Sequence, residues 1–214
     1  MAFQPHIPTQ FDHLIYAVPD LDRGIDAVEQ LLGVRPMIGG RHEAFGTRNA
    51  LLSLGDSNYF ELIAPDLDVA VAPHPRILGL DDVDAPRLVS WVAQSSDIDL
   101  YVATARARGA ELGDVLSGSR TRPDGSSVTW KCTDPRAVST PGILPFVLDW
   151  GATPTPALSA PRGCSLVSFR AEHPRPAQMH TELERLEIEL DVAKGESPAL
   201  IAVLDTPRGH VELR

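Results

Sequence analysis

The chain has 214 residues, 43% of them hydrophobic, and a formal net charge of −10. Its size and apolar fraction suit one compact domain or two small ones with a sizeable core. The acidic balance, with basic residues scattered rather than clustered, repels phosphate backbones and anionic lipid, so neither nucleic acid nor a membrane is expected as a partner. The two cysteines, Cys132 and Cys164, belong to no CxxC pair and are too few for a disulfide scaffold. With no neighbouring motif to activate a nucleophile, both read as structural thiols. The opening MAFQPHIPTQ lacks the basic-then-apolar order of a secretion signal. No apolar run approaches the roughly 20 residues of a membrane span, and a soluble cytoplasmic protein is expected.

Residues 1–10 read as an irregular arm. Phe11 to Val18 alternates as a strand, with His13, Ile15 and Ala17 on one face, and Pro19 ends it. Asp20 or Asp22 can cap a helix to about Leu32, whose apolar stripe is Ile25, Val28, Leu31 and Leu32. Gly33 stops the helix. Val34 to Ile38 is a short strand broken by Gly39-Gly40, and Thr47 to Leu54 is a second. The Gly55-Asp56-Ser57-Asn58 turn leads into Tyr59 to Ala64, where Tyr59, Glu61 and Ile63 share a face.

The same order recurs. Arg87 to Gln94 is a strand, and Asp97 caps a helix to about Arg108 with Leu100, Ala103 and Ala107 inward. Strands follow near 112–119, 127–132 and 143–149, the first two joined by the Pro123-Asp124-Gly125 turn. Residues 151–163, GATPTPALSAPRG, have linker composition. A third round brings a strand at Ser165–Ala171, a helix at Pro176–Leu186 and strands near 188–194, 199–205 and 210–213. These rounds read as an internal repeat of βαβββ modules, 11–66 and 87–150, followed by a third βαβββ-like module, 164–214, packed on the first two. Overlaying NALLSLGDSNYFELI on PALIAVLDTPRGHVELR sets Glu212 at the place of Glu61. Ser90 and Ser165 stand where His13 does, and Asp149 shares a strand face with Val147, opposite Glu61.

The stretches FDHLIYAVPDLD, GGRHEAFGTRNALLSLG, YFELIAPD, SRTRPDGSSVTW, LPFVLDWG and LDTPRGHVEL, in this order, resemble the vicinal oxygen chelate superfamily, and within it the glyoxalase-like domain proteins. The resemblance implies an α+β protein of paired βαβββ modules curling into an open, barrel-like cradle with helices outside. It also implies a divalent metal (Zn, Ni, Fe or Mn) held by residues from two modules, here His13 and Glu61 with Asp149, or with Glu212 if the third module is the partner. The histidine position of the second module holds Ser90.

Imidazole plus carboxylate suits such ions, with open positions for substrate oxygens. The expected activity is a glyoxalase-like lyase or isomerase acting on a small molecule, with Glu61 as base or ligand and the ion polarising two vicinal oxygens. The missing histidine supports an alternative, a non-catalytic binding or resistance-type protein, and counts against an extradiol dioxygenase. His42, Thr47, Asn49 and Asp149 are the candidate substrate contacts. Arg120 and Arg122, able to grip a carboxylate, lie beside the Pro-Asp-Gly turn and read as solvated. Of Trp91, Trp130 and Trp150, one at most is expected to touch a ligand. If modules 1 and 2 close the cradle, Asp149 should approach His13; if 1 and 3 do, Glu212 should. The unpaired module would leave a face open to homodimer formation.

Overall fold

The computed structural model describes residues 10–69, 75–138 and 142–214. The arm expected over residues 1–10 lies, except for Gln10, outside them. Chain order in the first half is β1 (Phe11–Ala17), α1 (Leu21–Leu32), β2 (Met37–His42), β3 (Thr47–Ser53) and β4 (Tyr59–Pro65). The second half repeats it with β5 (Arg87–Gln94), α2 (Ile98–Ala107), β6 (Val115–Thr121), β7 (Ser127–Thr133) and β8 (Phe146–Asp149). After these come β9 (Ser165–His173), α3 (Pro176–Arg185), β10 (Val192–Lys194), β11 (Ala199–Thr206) and β12 (Gly209–Leu213).

The first eight strands close into one barrel, in the order β1-β4-β3-β2-β6-β7-β8-β5. Each half places its first strand parallel to its last and its inner strands antiparallel, so the two halves share a topology. They meet along a long antiparallel seam, β1 with β5, and along a short one where β2 and β6 share the pair Arg41 and Thr121. Modules 1 and 2 therefore form the barrel.

The third segment departs from the expected repeat. Its strands form a separate sheet, β10-β9-β11-β12, in which β9 pairs with β11 and β10 lies parallel on its other edge. In the barrel halves the first strand pairs with the fourth instead. The hairpin that contains Glu212 thus belongs to a different pairing scheme from the one that contains Glu61. This sheet covers the outer face of β1 and β5, where Phe169 packs on Phe11 and Trp91 with ring centroids 5.7 and 5.4 Å apart. Trp91 is fully buried there and donates its indole N–H to the Ile143 carbonyl at 3.0 Å. Residues 151–163 are packed rather than a free linker: Ala157 and Ala160 bury against Leu51 and Tyr59, and Ser53 N–H donates to the Pro161 carbonyl.

The helices cap as expected, with Asp20 accepting from the Arg23 amide, Gly33 at φ 78° and Asp97 accepting from the Leu100 amide. Two burial expectations are corrected. Leu31 is exposed, the stripe of α1 being Leu21, Ile25, Val28 and Leu32. On α2 the inward face is Ile98, Val102 and Ala105, with Leu100 exposed, because the helix starts on a buried Ile98 and the phase follows from it. No helix of the described residues is long and apolar enough to cross a membrane.

Candidate functional site

Strand register brings the polar residues of the first half onto one wall of the barrel interior. In the parallel β1–β4 pair, His13 lies opposite Tyr59 and Ile15 opposite Glu61. On β3, Leu51 pairs with Glu61 and Asn49 with Ile63, and His42 faces Thr47 across the β2–β3 hairpin. Side chains two residues apart share a strand face, so His13, Tyr59, Glu61, Asn49, Thr47 and His42 converge. All six are buried.

A continuous polar chain runs through them. His13 Nδ1 sits 2.6 Å from Asp12 Oδ1 and His13 Nε2 sits 3.2 Å from Glu61 Oε2. Asn49 Nδ2 donates to Glu61 Oε1 at 2.6 Å. At the other end, Trp150 Nε1 donates to Asp12 Oδ2 at 3.0 Å. The His13 ring stacks on Tyr59, centroids 4.2 Å apart. His42 Nε2 lies 4.0 Å from Glu61 Oε1, with its Nδ1 3.0 Å from the Thr47 hydroxyl and its ring edge-on to Trp130.

The environment sets the charges. Burial would lower the His13 pKa, but the hydrogen bonds and charges of Asp12 and Glu61 outweigh it and hold the value above the ordinary 6.5. When protonated, His13 donates to a carboxylate on each side. Burial would raise Glu61, yet its bond to His13, the His13 and His42 charges and the Asn49 amide bring it down to about 2. Burial pushes His42 down to about 4, so it is neutral near pH 7.

The rest of the cavity is mostly hydrocarbon. Ile15, Ile63, Ile77, Leu78, Phe146 and Leu148 line it, with Trp130, Trp150 and the Cys132 thiol, which burial pushes up to about 11. The space open to the centres of water-sized spheres is about 50 Å³.

Into this cavity projects Arg120, only 5% exposed. Composition alone ends its strand at residue 119 and leaves Arg120 solvated beside the turn. β6 instead continues to Thr121, which turns Arg120 inward over β2. The same extension corrects the expectation for Gly39-Gly40, which lie within β2 rather than ending a strand. A Cβ on Gly39 would stand 2.7 Å from Arg120 Nη1 and closer still to Asn49 Oδ1, and one on Gly40 would stand 2.9 Å from Arg120 Cγ. The glycines are the seat over which the arginine passes.

Of the candidates named from the sequence, then, His13 and Glu61 are neighbours, and His42, Thr47 and Asn49 share their wall. Asp149 does not join them: Phe146 and Leu148 take the inward positions of β8, and Asp149 accepts from the Ile98 and Gly151 amides outside. Its neighbour Trp150 reaches the site instead. Glu212 is also corrected. It stands exposed on the second sheet, 2.9 Å from Arg214 Nε, away from His13. Ser90 is buried against the Trp91 carbonyl, and Ser165 is exposed at the start of β9; neither lines the cavity. Trp130 and Trp150 both line it.

Asp12 is not evident from the sequence because strict alternation points it away from His13. The β1–β5 ladder slips register between Phe11 and His13, and such an irregularity re-aims the side chain beside it.

The donor set does not fit a firmly held divalent ion. Among the described residues no group of three or more His, Cys, Asp or Glu side chains is arranged around a common point. The opposite wall offers Phe146, Leu148 and a thiol held in its neutral form, and the nearest cation, Arg120, repels a second one.

The chain is similar to several solved structures, of which one supports the whole fold. A hypothetical protein from Staphylococcus aureus aligns with a TM-score of 0.66 at 15% identity, covering 91% of this chain and 88% of that one. The methylmalonyl-CoA epimerase from Mycobacterium tuberculosis aligns with a TM-score of 0.43 at 23% identity, over 74% of this chain and 96% of that one. A Streptomyces coelicolor methylmalonyl-CoA epimerase variant, in complex with 2-nitronate-propionyl-CoA, gives 0.44 and 22%, over 67% and 98%. No curated protein matches the sequence. The family profile described as glyoxalase-like domain matches residues 11–187. With that span and a barrel of two βαβββ halves, the chain belongs to the glyoxalase-like domain family.

Proposed function

We propose that the barrel cavity binds a small molecule and moves a proton within it, as an isomerase or lyase of the glyoxalase-like type. The observation that carries this reading is the buried Asp12–His13–Glu61 chain on the wall of an otherwise apolar cavity. Protonated His13 is a proton donor with a deprotonated carboxylate 3.2 Å away. Glu61 would take a proton from a carbon next to a carbonyl while His13 gives one to the carbonyl oxygen, forming an enol. Return of the protons in the other sense completes an isomerisation without a co-reactant. Asp12 stabilises the imidazolium and holds its ring, and Trp150 holds Asp12. Seclusion from water strengthens each of these contacts.

A second reading, a binding protein without turnover, is favoured by one observation. Glu61 at about 2 is a weak base near pH 7, where a base of higher pKa works better. Proton NMR in D2O separates the two. The full chain is incubated with small 2-hydroxy and 2-oxo acids and aldehydes, and loss of the carbon-bound proton signal is followed. Proton transfer predicts exchange with the native chain and its loss in Glu61→Gln. Ligand-induced shifts without exchange, in both proteins, support the binder and defeat the isomerase reading.

A further inference from the structure

We infer that Arg120 is the anchor for a ligand carboxylate, so that the cavity takes short monocarboxylic acids. The inference rests on the reading of the cavity as a small-molecule site and names the class of molecule.

A guanidinium carries five N–H donors and stays charged in a protein. The described residues accept from one of Arg120's nitrogens: Nη1 reaches Asn49 Oδ1 at 3.5 Å, beyond the usual 2.7–3.2 Å range. Its Nε is buried with no partner. Among the described residues no carboxylate ion-pairs with it. A buried charge left in that state is costly, and burying it with an anion offsets the cost.

Glu61, the nearby acid, does not supply that anion. Its two oxygens are committed, one to His13 at 3.2 Å and one to Asn49 at 2.6 Å. Asn49 stands between acid and guanidinium, with its N–H₂ toward Glu61 and its carbonyl toward Arg120. The arginine is thereby kept free on the cavity side. Its placement is built into the backbone as well, since side chains on Gly39 or Gly40 would occupy its path.

The geometry selects among anions. The planar guanidinium fork matches the two oxygens of a carboxylate. Arg122, the next basic residue along the chain, is exposed and outside the cavity lining, so a second carboxylate finds no cation there. The narrow cavity and its walls of Ile15, Ile63, Phe146 and Leu148 suit a short, mostly apolar remainder. That orientation sets the carbon skeleton between Arg120 and the His13–Glu61 pair, which share the cavity.

The test is isothermal titration calorimetry on the full chain with acetate, propionate, pyruvate and lactate, against acetamide, propionamide and inorganic phosphate. It uses the native protein, Arg120→Gln, Arg120→Lys and the surface control Arg122→Gln. Acids should bind at least about 10-fold more tightly than their amides, and Arg120→Gln should weaken acid binding by about 10- to 100-fold. Arg120→Lys should keep part of the preference, and Arg122→Gln all of it.

Equal binding of acids and amides, no binding of any acid, tighter binding of phosphate than of every acid, or undiminished acid binding by a folded Arg120→Gln overturns the assignment. Should Arg120→Gln fail to fold, the acid–amide comparison in the native chain and the lysine variant decide it. An acid that binds through Arg120 without D2O exchange supports the anchor while removing the proton-transfer reading, so the two fail separately.

Discussion

Replacing Glu61 with glutamine tests whether His13 is held as an imidazolium between two acids. The side chain keeps its shape and can still accept from Asn49, which bonds Oε1 at 2.6 Å, but its charge is gone. Burial raises the Glu61 pKa, and His13 foremost, with His42 and Asn49, more than reverses it, from the ordinary 4.5 to about 2. At about 1.36 kcal/mol per pH unit, that fall corresponds to about 3 kcal/mol of stability, which lies at the lower end of the roughly 3–5 kcal/mol for breaking a buried pair. His13 is the other side of the same interaction, so its raised pKa adds no independent amount.

The depressed Glu61 contributes fully above about pH 4.5 and loses that contribution as pH falls through about 2. The raised His13 contributes fully below its ordinary 6.5 and loses it as pH rises through its higher folded value. The difference between native protein and Glu61→Gln is therefore greatest between about pH 4.5 and 6.5 and shrinks on both sides. Urea unfolding across pH 3–9 measures the difference, and ring-nitrogen NMR follows the His13 titration. A variant within about 0.5 kcal/mol of the native protein at pH 6, or a native His13 titrating below 6.5, would refute the ion-paired site.

Gly39→Ala places a methyl against Asn49 and Arg120, so it should destabilise the fold by about 1–3 kcal/mol and displace the guanidinium. Urea unfolding should register the first effect, and weaker acid binding in calorimetry the second; unchanged values for both would remove the seat assigned to this glycine. Because no three such donors among the described residues are arranged to hold an ion, zinc, nickel or manganese added to chelator-treated protein should leave its thermal midpoint unchanged. A rise that grows with metal concentration and disappears in His13→Ala would contradict this.

The first half was legible because its signals are local. His13 and Glu61 each sit at an inward position of an apolar strand, and the helix between them carries its own caps. What escaped depends on departures from regular geometry or on pairing between distant segments. Asp12 joins the site through a register slip that alternation does not reveal. Arg120 turns inward because β6 runs two residues farther toward its turn than composition suggests. Asp149 and Trp150 exchange expected places because the inward phase of β8 is fixed by Phe146 and Leu148. The third segment has the right order of elements, but hydrogen-bond pairing decides topology, and β9 selects β11 rather than the final strand. Glu212 consequently faces solvent.

The two halves of the barrel share a topology and divide the site unequally. The first supplies His13, Tyr59, Glu61, Asn49, Thr47 and His42, while the second supplies Arg120, Trp150 and much of the hydrocarbon wall. A symmetric metal centre would need matching donors from both. This arrangement instead sets a hydrogen-bonded acid–histidine–acid chain and one under-satisfied cation in the same small cavity, joined through Asn49. The long β1–β5 seam is backed by the second sheet, whereas the short β2–β6 seam is where the glycines lie and the arginine enters. Rigidity is thus placed behind the histidine, and close backbone approach is placed beside the cation. A fold repeated from two similar halves acquires direction in this way: one half carries the buried acid–histidine–acid chain, and the other carries the buried guanidinium.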